Sequence, residues 1–117
     1  MSDVVVTVPK ALWGLWIDEG DLPGEEWSGN VYDFYLGGLM PHVTPGERVY
    51  IVAHDRLRGY APLVAIGEQP HGWSLVRHDG AEAITIPEPI RGFQGFRYRW
   101  WDRADEVPFP AWRDPRG

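Results

Sequence analysis

The chain has 117 residues, 44 % of them hydrophobic, with seven tryptophans, no cysteine and a formal charge of −6. Such a length suits one domain over residues 1–117 with a single core, and the composition excludes a disordered chain. The missing cysteine excludes disulfides and thiolate metal sites, and the acidic balance excludes attraction of nucleic acid by the field of the whole molecule.

Charge is unevenly placed. Residues 1–38 carry seven acids against Lys10, whereas residues 91–117 carry six arginines against four acids. Any nucleic-acid reading must therefore rest on a local basic face in the C-terminal quarter.

In chain order, DVVVTV (3–8) is β-branched and short and predicts a strand. Pro9 suits the first turn of a helix over KALWGLWI, where Leu12, Trp13, Trp16 and Ile17 share one face. Gly14 weakens that helix. The acidic stretch DEGDLPGEEWSGN (18–30) reads as a loop, with Trp27 either a lid over a pocket or a plug over one barrel end. VYDFYL (31–36) is compatible with a strand or a short helix, and Thr44-Pro45-Gly46 marks a turn.

The pattern then turns plainly β. RVYIVAH (48–54) predicts a strand, DRLRG (55–59) its turn and YAPLVAI (60–66) its hairpin partner, with Pro62 placing that partner at an edge or a bulge. GEQPHG (67–72) is a turn, and Asp79-Gly80 is a type I′ hairpin signal between WSLVRH (73–78) and AEAITI (81–86). The last strand is FQGFRYRWW (93–101), whose alternation sets Phe96, Tyr98 and Trp100 on one side and Arg97, Arg99 and Trp101 on the other. The first side is expected in the core. An extended tail, 102–117, carries three prolines and has Val107, Phe109 and Trp112 as its anchors. The expected fold is mainly β, a small barrel or strongly curved sheet with one or two short helices, because closure removes exposed edges.

The segment GERVYIVAHDRLRGYAPLVAI (46–66) runs from a Pro-Gly-acid turn into a strand ending near a polar residue, then a tight turn and an Arg-Gly-Tyr entry to an apolar strand. This arrangement resembles the ASCH and EVE domains of the PUA-like superfamily. The resemblance implies a small β-barrel with flanking helices and a cleft that binds RNA or reads a modified base. A few members of that superfamily are small enzymes acting on modified nucleosides.

Arginines interleaved with aromatics can hold a phosphate backbone and stack bases. Arg97, Arg99 and Trp101 form one such set, and Arg56 and Arg58 beside Tyr60 form a second. Trp13, Trp16 and Trp27 are the candidate stacking rings from the N-terminal half. Each set has a plainer reading: a surface ladder paired with Glu82 or Glu88, solvated turn arginines, or core tryptophans. His42, His54, His71 and His78 show no metal-ligand spacing, so no metal is expected. No nucleotide-cofactor fingerprint occurs, so no cofactor is expected.

Three functions follow. The first is a module binding single-stranded nucleic acid or a nucleotide. The second is a protein-interaction module whose acidic residues 18–33 meet a basic partner. The third is a small hydrolase acting on a modified nucleoside, with Lys10 beside a buried carboxylate. MSDVVVTVPK lacks the pattern of a signal peptide and no apolar run is long enough to span a membrane, so the expected location is cytoplasmic.

Overall fold

A computed structural model of the chain describes residues 3–8, 10–13, 44–69, 72–77, 82–93, 96–112 and 114. The strands are β1 (Val4–Thr7), β2 (Arg48–Ala53), β3 (Arg56–Gln69), β4 (Gly72–Arg77), β5 (Ile84–Thr85), β6 (Phe96–Tyr98) and β7 (Val107–Pro108). Short 3₁₀ turns lie at Lys10–Leu12 and Arg103–Asp105. A five-stranded sheet has the order β4-β3-β2-β1-β6, and β5 pairs with β7 in a second sheet. β1 runs parallel to β2 and antiparallel to β6, with Val4 opposite both Val49 and Tyr98. The fold is mainly β, as its composition dictates. Among the described residues the sheets are open and form no closed barrel. No helix among them is long and apolar enough to cross a membrane.

The valine run of β1 is a central strand covered on both sides, which is why it is apolar without alternation. Val4, Val6, Val49 and Ile51 face one cluster, closed by Trp13, Phe109 and Trp112. Val5, Tyr50 and Val52 face the other, closed by Ile86, Ile90 and Trp101.

Five expectations change. GEQPHG (67–72) is not a turn throughout: Gly67, Glu68 and Gln69 are strand residues paired with Ser74, Trp73 and Gly72. The β2–β3 turn is His54-Asp55 alone, not DRLRG; both residues have positive φ (50° and 60°), the geometry of a type I′ hairpin. Arg56 and Arg58 are therefore strand residues. β5 pairs with β7, not with β4, among the described residues. β6 stops at Tyr98, before the arginine–tryptophan alternation is complete. Val107 does not anchor the tail: it is exposed and held by the β5 pairing, while Phe109 and Trp112 are buried. Of the helix expected over KALWGLWI, residues 14–17 lie outside the described set, as do the Asp79-Gly80 turn and VYDFYL.

A bulge shapes β3. Ile51 stands opposite Gly59 and Val52 opposite Leu57, so Arg58 is the inserted residue. The insertion lets Leu57 and Tyr60, three positions apart, share one face, and it turns Arg58 toward Trp13 and Phe109 on the other. Gly59 is required next to it. A Cβ there would lie 2.4 Å from the Glu82 carbonyl oxygen, where Tyr60 and Glu82 exchange backbone hydrogen bonds of 3.0 and 2.9 Å.

Candidate functional site

Two buried carboxylates organise the end of the sheet where β1 and β2 begin. Glu106 follows the 3₁₀ turn Arg103–Asp105, which Asp102 caps by accepting the Ala104 N–H at 2.9 Å. That turn brings Glu106 to Tyr50 and Trp101, with its side chain 7 % exposed. Glu106 Oε2 accepts from the Tyr50 hydroxyl at 2.6 Å and from Trp101 Nε1 at 3.0 Å. Its Oε1 accepts from Arg48 Nη1 at 3.0 Å, and the same nitrogen donates to Tyr50 Oη at 3.1 Å. Burial, and then the bond donated to Glu106, push the Tyr50 hydroxyl well above the usual phenol range. Tyr50 is thus a fixed neutral donor.

Asp3 is the second acid, its side chain 2 % exposed. Its Oδ1 accepts the Arg48 backbone N–H at 2.9 Å; its Oδ2 accepts Arg99 Nε at 2.9 Å and Arg103 Nη2 at 2.8 Å. Burial opposes the charge, but the hydrogen bonds from Arg48, Arg103 and Arg99 outweigh it and hold the Asp3 carboxyl below the usual range. Arg99 also donates to the Trp101 carbonyl.

Beside these ions runs a line of rings. Tyr60, Tyr50, Trp101 and Trp100 follow one another at centroid separations of 5.4, 5.0 and 5.0 Å. Arg48 lies 4.1 Å over the Tyr60 ring. The open end is Trp100, 45 % exposed. Exposure of the neighbouring guanidinium side chains is 26 % for Arg48, 25 % for Arg99 and 49 % for Arg103. Three arginines on two acids leave one positive charge in excess, and the acids fix how the guanidinium groups point. Such an arrangement can stack a planar ring and bind an anion beside it.

The predicted site residues are distributed differently. Trp101 is buried at 8 % exposure with Val5, the partner of Arg97, whereas Tyr98 and Trp100 are 39 % and 45 % exposed and Phe96 packs only partly against the core, so the expected burial of the two sides is reversed. Arg97 is exposed and lies 4.5 Å over the Phe93 ring. Arg99 is held by Asp3 as described. Arg58, expected at a turn, is 2 % exposed and donates to the carbonyls of Ala53, Trp112 and Asp114 at 2.7, 3.0 and 2.7 Å. Burial, then repulsion from Arg56, lower its pKa. It fastens the tail across the first core face. Arg56 donates to Thr85 Oγ1 at 3.2 Å and lies 4.4 Å over Phe109.

Trp13 is a core residue, edge-on to Trp112 at 5.7 Å. Trp16, Trp27, the acidic stretch 18–33, His42, His71 and His78 lie outside the described residues. His54 occupies the hairpin turn against Trp13. Lys10 meets Asp55 at 3.6 Å, and both side chains are largely exposed. Among the described residues, Lys10 is therefore not paired with the buried acid that the hydrolase reading needs. Among the described residues no three His, Asp or Glu side chains converge as a metal site.

Sequence reasoning missed Asp3, Arg48, Tyr50, Trp100, Arg103 and Glu106. One local signal was present: Asp102 two residues before Ala104 is a side-chain cap that starts the turn leading to Glu106. No family model, curated protein or solved structure matches this chain.

Proposed function

We propose that the chain is a binding module for single-stranded nucleic acid or a nucleotide, in which Trp100 stacks on a base while Arg103 and Arg48 take phosphate. The observation that carries this reading is an exposed indole, Trp100, at the end of a line of rings that Arg48 joins over Tyr60, with Arg48 and Arg103 partly exposed and already oriented by buried acids. Fixing those groups beforehand lowers the ordering cost of binding. Base stacking on such a ring is worth about 1–3 kcal/mol. Exposed Arg97, three residues before Trp100, adds a further cation. The hairpin's resemblance to PUA-like RNA-binding domains points the same way, and a cytoplasmic setting belongs to the same reading.

The test is fluorescence anisotropy with labelled single-stranded RNA and DNA homopolymers at low salt. Trp100→Ala is expected to weaken binding about tenfold. Arg97→Ala combined with Arg103→Ala is expected to reduce the log–log salt slope by about 1.4, the value for two phosphates on a single strand. Absence of binding by the native chain at low salt, or equal binding by all variants, refutes the reading.

A further inference from the structure

The uncommitted donors of the arginine cluster indicate which part of the ligand it holds. Arg48 uses Nη1 on Glu106 and Tyr50; Arg99 uses Nε and Nη1; Arg103 uses Nε and Nη2 on Asp3. Among the described residues, no acceptor is bonded to Nε or Nη2 of Arg48, Nη2 of Arg99 or Nη1 of Arg103. Arg99 and Arg103 abut, because both donate to the same Asp3 oxygen at 2.9 and 2.8 Å. Arg48 and Arg103 are close enough for their charges to repel. A second anion with several acceptor oxygens relieves that repulsion and engages these donors together.

We propose that the cluster seats a terminal phosphate, so that the ligand is a nucleotide or a strand end bearing a phosphomonoester. This rests on the nucleic-acid reading for the base on Trp100. A phosphomonoester carries about −1.5 to −2 at neutral pH with three strong acceptor oxygens. An internal phosphodiester has a single charge and two free oxygens, a poorer match to the abutting guanidinium groups of Arg99 and Arg103 with Arg48 close enough to feel the charge of Arg103. Trp100 and Arg103 are three residues apart, at most about 10 Å along the chain, within reach of the base and phosphate of one nucleotide.

The experiment titrates a nucleoside, its 5′-monophosphate and inorganic phosphate separately into the full ¹⁵N-labelled chain. Arginine Nε–H and tryptophan indole signals report the two halves of the site. The monophosphate is expected to bind about tenfold more tightly than the nucleoside, the worth of roughly one charge-assisted hydrogen bond. Arg103→Gln removes that preference and Arg103→Lys restores part of it. Equal affinity for nucleoside and monophosphate overturns the phosphate seat while leaving stacking on Trp100 intact. Inorganic phosphate that moves the arginine signals, with no ligand perturbing Trp100, upholds the seat and overturns the nucleic-acid reading. Arginine signals unmoved by either phosphate-bearing probe overturn the proposal outright.

Discussion

Replacing Asp3 by Asn changes one buried charge and almost no volume. The side chain accepts from the Arg48 backbone, from Arg99 and from Arg103. An amide has one acceptor oxygen, so its NH₂ group must face a donor on one side or the other. Removing one partner of a fully buried ion pair costs about 3–5 kcal/mol. Here Arg99 and Arg103 are 25 % and 49 % exposed, so water recovers part of that loss, and the expected destabilisation is about 2–3 kcal/mol. In urea unfolding the midpoint falls with an unchanged m value, and Tm drops by about 3–5 °C per kcal/mol for a chain of this size. The pH dependence supplies an independent check. The folded pKa of Asp3 is depressed, so its stabilisation is fully present above the unfolded value of about 3.9 and is lost as pH falls through the folded value. The native and Asp3→Asn stability curves should separate above about pH 4 and converge below it. A gap smaller than about 0.5 kcal/mol at neutral pH, the size of an ordinary surface change, refutes the reasoning. A gap that persists unchanged into strong acid does the same.

Arg58→Met keeps the bulk but abandons three carbonyls, with an expected loss of about 2–4 kcal/mol. Limited proteolysis should then cut first near Trp112, and native-like resistance would show that Arg58 does not fasten the tail. Tyr50 has a raised pKa, so its contribution is present below the unfolded value of about 10 and is lost as pH rises beyond it. Phenolate absorbance should show a late step that coincides with unfolding, and Tyr50→Phe should lack it; a late step that persists in Tyr50→Phe refutes the Glu106 bond. Gly59→Ala drives a Cβ against the Glu82 carbonyl, with an expected cost of about 1–3 kcal/mol. Faster hydrogen exchange at the Tyr60 amide should accompany it, and native protection there would refute the steric account.

The strands were readable where burial is dense and local. DVVVTV, RVYIVAH and WSLVRH announce themselves by β-branched and apolar content, and β1, β2 and β4 fall on them. The hairpin turn carried a signal too, since His and Asp are among the residue types that tolerate positive φ. Arg58 defeats local reading because two of its three acceptors lie 54 and 56 positions away. An arginine beside a turn looks solvated until the tail folds over it. The site fails in the same way: Asp3 meets Arg103 across 100 positions, and Tyr50 meets Glu106 across 56.

The candidate site also shows how an acidic chain can hold three partly exposed guanidinium groups together. Its excess positive charge is small, so long-range attraction is a poor source of affinity here. What the two buried acids supply is orientation. Arg48 is held from both ends, its backbone by Asp3 and its guanidinium by Glu106. Arg99 and Arg103 share one carboxylate oxygen, and Trp101 ties Glu106 to the ring next to exposed Trp100. Two negative charges therefore lower the local field but fix three guanidinium groups and an aromatic line in one geometry. For a planar base with an adjoining phosphate, fixed donors favour the matching shape over any anion of equal charge. That trade of field strength for geometry is the physical basis of the binding function proposed for this chain.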